Sequence, residues 1–200
     1  MIFATGNRHK LLELRELLPG VELSPLPEEV ELPPEDGDSF AAIALAKARA
    51  ARAATGEAVV ADDSGIEAAG LGGRPGIHSA RFAGEGASDE ENLAKLLRDV
   101  AAAGEERRAA YVCALALIEE DGTERVFEAR CEGRLVDAPR GEGGFGYDPA
   151  FVPDDTGPED RRTMSELSQE EKNEISHRGR AARLLVGHLG AGAGVQPGSR

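Results

Sequence analysis

Ala109 to Ile118 is a run of ten residues without a charged side chain, and it limits the fold more than any other stretch. A strand of that composition has no face to give to water, so other elements must cover both of its faces. Asp121-Gly122 supplies turn chemistry directly after it. Val126 to Val136 then alternates Phe127, Ala129, Cys131 and Leu135 with Glu128, Arg130, Glu132 and Arg134. The pattern predicts a hairpin with one strand buried on both sides and a partner buried on one.

Helices and further strands surround this hairpin, which makes the chain mixed α/β. Ile2 to Thr5 and Glu57 to Asp62 read as strands. Lys10 to Leu18 reads as a helix with leucines at 11, 14, 17 and 18, and Ser39 to Ala54 as a second with Phe40, Ile43, Ala44 and Lys47 at helical spacing. Ser88 and Glu91 have capping-box spacing ahead of a stripe of Leu93, Leu96, Leu97 and Val100. Residues 1–189 read as one domain, and Gly190 to Arg200 as a disordered tail with little to bury. Pro153 to Arg162 is a polar, proline-containing loop placed to act as a flap.

Charge narrows the function. With 23 basic against 37 acidic residues the net charge is −14, which argues against a nucleic acid polymer as partner. A small polyanion needs only a local basic pocket. No stretch is apolar enough for a membrane span or a signal sequence, so the expectation is a soluble, cytoplasmic protein. Cys113 and Cys131 lack metal-ligand spacing and read as reduced, buried thiols on facing strands.

Four clusters carry chemistry. Asp62-Asp63-Ser64-Gly65 follows the apolar run ending at Ala61. Taken alone, Asp-Ser-Gly is good turn chemistry, while a carboxylate pair at a strand end is sufficient ligation for Mg²⁺ when substrate phosphates complete the shell. Thr5-Gly6-Asn7-Arg8-His9-Lys10 joins a strand to a helix: Asn7 is a natural N-cap, Gly6 permits close approach, and Lys10 adds charge where a helix start attracts anions. Gly141 to Pro149 holds four glycines in six residues together with Phe145, Tyr147 and Asp148, a face to stack on and an acceptor to read a base edge. Ser168 and Glu171 open a helix that gathers Lys172, His177 and Arg178 in an otherwise acidic chain.

Together these clusters resemble the inosine triphosphate pyrophosphatase family. The resemblance runs through Thr-Gly-Asn-x-x-Lys at Thr5 to Lys10, Ala-Asp-Asp-Ser-Gly at Ala61 to Gly65, Gly-Gly-x-Pro-Gly-Ile-x-Ser-Ala-Arg-Phe at Gly72 to Phe82, Gly-Phe-Gly-Tyr-Asp-Pro at Gly144 to Pro149 and Glu-Lys-Asn-x-Ile-Ser-His-Arg at Glu171 to Arg178. It implies an elongated mixed sheet with two lobes flanking a nucleotide cleft, a homodimer, and Mg²⁺-dependent hydrolysis of ITP, dITP or XTP to the monophosphate and pyrophosphate. By the same resemblance Asp63 is the general base and a metal ligand, with Asp62 and Asp38 as further candidate ligands. Thr5, Gly6, Asn7, Arg8, His9, Lys10, Lys47, Ser64 and Lys172 face the phosphates and the reacting water, and Phe145, Gly146, Tyr147, Asp148, His177 and Arg178 form the base pocket.

One position departs from the pattern. Where the family reads Thr-Phe-x-Glu-Asn-Ala, this chain has Ser39-Phe40-Ala41-Ala42-Ile43-Ala44, so Ala42 stands for a metal-associated Glu and Asp38 is the expected substitute. The departure keeps a second reading open, a nucleotide-binding sensor with impaired catalysis. A third is a pyrophosphatase for other modified nucleotides.

Overall fold

The computed structural model describes residues 1–192. Its centre is a six-stranded mixed sheet in the order β2-β1-β3-β4-β5-β6, with β1 Ile2–Ala4, β2 Ser24–Pro25, β3 Val59–Ala68, β4 Arg108–Ile118, β5 Glu124–Leu135 and β6 Phe151–Pro153. β1 is parallel to β2 and β3, and the remaining pairs are antiparallel. The hairpin forms as its pattern requires: β4 is buried at every position after Arg108, and β5 buries Cys131, Gly133 and Leu135 while exposing Glu128, Arg130 and Glu132.

Among the described residues five α-helices cover the sheet: α1 Arg8–Leu17, α2 Phe40–Thr55, α3 Asp89–Ala103, α4 Gln169–Ile175 and α5 His177–Gly192. α2 lays Phe40, Ala44, Ala48 and Ala51 on Val59, Ala61, Ala114 and Ala116, and the small side chains on both surfaces let helix and sheet approach closely. On the opposite face Leu14 of α1, its C-cap Leu18, and Ala181, Ala182 and Leu185 of α5 bury Phe3, Val60, Leu115 and Leu117. Farther along the same strands a separate core joins Ile66, Tyr111 and Leu135 to Leu93, Leu96 and Val100 of α3 and to Phe151 and Met164. The two cores on this face leave a cleft between them.

Three sequence expectations change. β3 does not stop at the acidic pair but runs on to Ala68, because Asp62 to Ala68 pair with Leu115 to Ala109 across the antiparallel ladder. α5 reaches Gly192, so the start of the expected disordered tail is helical, and 193–200 lie outside the described residues. The expected flap begins with the end of β6 and a 3-10 turn at Asp154–Thr156, held by ion pairs from Arg108 to Asp154 at 2.8 Å and from Arg180 to Asp155 at 2.6 Å. Cys113 and Cys131 are free, buried thiols, both pushed up to about 12 by burial.

β1 ends at Ala4, so beyond Ala61 one edge of β3 has no neighbouring strand. The 3-10 turn Gly76–Arg81 covers that edge: Ser79 Oγ accepts from the Ile66 N–H at 2.9 Å and donates to the Gly76 carbonyl at 2.6 Å. Gly65 permits the approach, since a Cβ there would lie 2.6 Å from the Gly76 carbonyl oxygen and 3.0 Å from the Phe40 ring. Gly65→Ala is therefore expected to lower stability by about 1–3 kcal/mol in denaturant unfolding, because backbone rather than a flexible side chain must move.

Candidate active site

Between Ala61, where β1 ends, and Ile66, where the Gly76–Arg81 turn covers it, the edge of β3 is free, and this free edge and the end of β1 place the reactive groups. After Ala4 the chain turns through Thr5 and Gly6 into α1, and Asn7 caps the helix by accepting from the backbone N–H of His9 at 2.9 Å and of Lys10 at 3.3 Å. Thr5 Oγ1 accepts the Asn7 N–H at 3.1 Å. The cap takes two of the N–H groups that an anion could otherwise use, so attraction at this corner rests mainly on the Lys10 ammonium.

Asp62 and Asp63 are neighbours in sequence but lie on opposite faces of β3, because side chains alternate along a strand. Asp62 is on the α1 and α5 side, 3.0 Å from Lys10 Nζ and 3.2 Å from Arg178 Nη2. Burial alone would raise its pKa, but Lys10, Arg178 and Lys47 outweigh burial and hold the carboxyl well below the usual range. Asp63 is on the α2 side, where Lys47 Nζ donates to it at 2.8 Å. Here burial prevails, and the Asp63 carboxyl rises to about 6 despite Lys47.

Glu35 adds a smaller push in the same direction. It lies in the loop before α2, pairs with the same Lys47 ammonium, and is held by Arg81 through its side chain at 3.2 Å and its carbonyl at 2.8 Å. Two carboxylates thus share one ammonium, and each is partly uncompensated. The more exposed Glu35 stays below the ordinary value, since Lys47, Lys10 and Arg81 overcome its burial, while Asp63 takes the proton more readily. Carboxylates pushed apart in this way suit one of them to act as a base near neutral pH.

On the α1 and α5 side a cleft open to solvent is lined by Asn7, Lys10, Ser64, Gly65, Ser79, Asp89, Tyr111, Phe145 to Asp148, Lys172, His177 and Arg178. Phe145 is half-buried, with its ring 4.9 Å from Lys172 Nζ and 5.9 Å from Arg178 Cζ. Asp148 is buried and already engaged, accepting from Tyr111 Oη at 3.0 Å, Lys172 Nζ at 2.9 Å and the Phe145 N–H at 3.1 Å. His177 stacks on Tyr111 with ring centroids 4.6 Å apart, and burial with the nearby Arg178 and Lys172 keeps it neutral. Arg178 bonds Glu13 at 2.5 Å and Ser64 at 2.8 Å. Around this cleft Glu13 Oε1, Asp62 Oδ1, His177 Nδ1 and Arg178 Nε are buried with no hydrogen-bond partner among the described residues.

The Ham1 family profile matches residues 1–188. The chain belongs to the Ham1 family. It is 44% identical over 196 residues to the dITP/XTP pyrophosphatase of Geobacter sulfurreducens, covering 95% of this chain and 96% of that protein. It is 49% identical over 194 residues to the dITP/XTP pyrophosphatase of Mycolicibacterium paratuberculosis, covering 93% of each. A HAM1 protein from Coxiella burnetii has the same fold, with a TM-score of 0.85, 38% identity and coverage of 95% of this chain and 98% of that one.

Against the Ham1 motifs, the structure gathers Asn7, Lys10, Ser64, Phe145 to Asp148, Lys172, His177 and Arg178 into one cleft. Lys47 and Asp63 stand together across β3 from it. Three assignments shift. Tyr147 is buried with its hydroxyl on the Ser79 carbonyl at 2.7 Å, so it braces the cleft and leaves stacking to Phe145. Asp148 orders Lys172 and Tyr111, which uses the acceptors expected to read a base edge. Asp38 is exposed, and Glu35 is the acid beside Lys47 and Asp63. Ala42 lies off the α2 stripe that faces the sheet. Sequence reasoning missed Glu35 and Glu13. The available signal for Glu13 was its place three residues after Lys10 and one before Leu14, on the inward face of α1.

Proposed function

We propose that the chain hydrolyses the triphosphate of deaminated purine nucleotides such as ITP, dITP and XTP, releasing the nucleoside monophosphate and pyrophosphate. The observation that carries this reading is the set of unpartnered buried polar atoms around the cleft, His177 Nδ1 and Arg178 Nε above all. Buried polar groups are almost always paired, with protein, water or ligand, and these atoms in the cleft wall can pair with the polar edge of a planar base.

In this reading the base lies against Phe145, and the phosphates run past Lys10 over the free edge of β3 toward Lys47. Asp63 orients the attacking water and takes its proton. Lys10 and Lys47 hold the phosphate oxygens and meet the negative charge that develops on them. Among the described residues no three acidic, His or Cys side chains converge to hold a cation unaided. Mg²⁺ needs only one or two carboxylates when phosphates complete its shell, and Asp63 and Glu35, together on the α2 side of β3, are the ones that would hold it, while Asp62 faces the other side between Lys10 and Arg178. When bound, the ion lowers the pKa of its water and shields phosphate charge. With Glu35 in place the change at Ala42 gives no reason to favour a catalytically impaired sensor. No helix among the described residues is long and apolar enough to cross a membrane, and the reading extends to a homodimer in the cytoplasm, where free nucleotides are found.

Selectivity follows from polar pairing. A 6-oxo base offers an acceptor where adenine offers a donor, and a buried donor left facing a donor costs about 1–3 kcal/mol. A nucleotide panel is expected to give kcat/KM for ITP and XTP at least ~10-fold above ATP. Equal values for ITP and ATP would overturn the base assignment.

A further inference from the structure

Asp89 opens α3, yet the helix does not need it as a cap: Ser88 and Glu91 already form a complete capping box there. Its Oδ2 instead accepts the backbone N–H of Gly146 at 2.8 Å, across 57 residues of sequence. Gly146 has φ 61°, a left-handed conformation open mainly to glycine. The preceding N–H, that of Phe145, is held by Asp148 Oδ2 at 3.1 Å. The two amides that bracket the Phe145 Cα are therefore pinned by carboxylates from two separate elements, which fixes the direction in which its ring leaves the backbone. That ring lies 4.9 Å from Lys172 Nζ and stacks on His9 at 6.0 Å.

We propose that Asp89 is a positioning residue that holds Phe145 as the wall of the cleft and so sets affinity for the ring end of the substrate, a planar base, and not for its phosphates. The inference rests on the base-pocket reading given above. Asp148 holds the amide before the ring through its carboxylate and reaches the peptide after it only through a long bond, its own N–H donating to the Phe145 carbonyl at 3.3 Å. Asp89 gives that second peptide its shorter, charge-assisted bond at 2.8 Å, from an element outside the turn.

The test compares wild type, Asp89→Ala and Asp89→Asn for KM and kcat on ITP, and for inhibition by inorganic tripolyphosphate, which probes the phosphate end alone. Asp89→Ala is expected to raise KM for ITP about 10-fold with kcat within about twofold and tripolyphosphate inhibition unchanged, the size of one lost charge-assisted hydrogen bond. Asp89→Asn should restore KM, since its amide oxygen accepts the same N–H. In a Phe145→Ala background Asp89→Ala should add nothing. An unchanged KM, equal weakening of tripolyphosphate, or an effect that persists without Phe145 would each overturn the assignment. A wild type that treats ITP and ATP alike removes the base pocket and this inference together. A selective wild type with an unaltered Asp89→Ala removes this inference alone.

Discussion

Asp63→Asn is expected to lower kcat by about 10²–10⁴-fold while leaving the far-UV spectrum unchanged, the loss typical of removing a general base. The volume is conserved, and Lys47 keeps Glu35 as a counter-ion. Stability should move the other way. The Asp63 carboxyl sits at about 6 in the fold against 3.8 ordinarily, so between those values the folded chain holds a proton that the unfolded chain has lost. Stability therefore falls as pH rises from about 4 to 6, and above 6 the full burden, on the order of 3 kcal/mol, is present. The Asn side chain carries no such burden. Melted at pH 8 without metal, Asp63→Asn should be at least as stable as wild type. Retention of more than about a tenth of kcat would place the base elsewhere.

Asp62→Ala is expected to show the opposite profile, with a stability loss of about 3–5 kcal/mol in denaturant unfolding. Its carboxylate, 1% exposed, lies between Lys10 and Arg178, and its removal leaves Arg178, itself 1% exposed, with Glu13 as its remaining carboxylate. Because the Asp62 carboxyl is held well below its ordinary value, it stabilises the fold fully above that value and ever less as the solution is acidified. The variant should accordingly lose part of the acid sensitivity seen in wild type. A loss below about 1 kcal/mol would mean that the buried cations are satisfied by other groups.

The contrast between these two neighbours also shows what could be read from the chain alone. The hairpin of β4 and β5, the α2 stripe and the capping boxes at Ser88 and Ser168 were legible, because each is written in residues close together in sequence. The path of β3 was not. Two aspartates after an apolar run look like a strand end, since the cations that make their burial tolerable come from Lys10, Lys47 and Arg178, far off in the chain. Once the strand continues, its alternation sends the pair to opposite faces and assigns them different work. The base-side residues were legible as motifs but not in their roles: that Asp148 is engaged by Tyr111 and Lys172 depends on contacts that no local pattern encodes. Glu35 sits among prolines and other acids in a loop with no period to mark it, and only its contacts with Lys47 and Arg81 single it out.

In the proposed reaction Asp63 and the flanking lysines direct water between the α- and β-phosphates of a nucleotide whose base lies against Phe145. Phosphorus NMR of ITP incubated with the protein and Mg²⁺ tests it most directly. Inosine monophosphate and pyrophosphate should appear together in equal amounts from the first turnover, with no inosine diphosphate at any time. Inosine diphosphate with orthophosphate would contradict it, because the attack would then fall on the terminal phosphate.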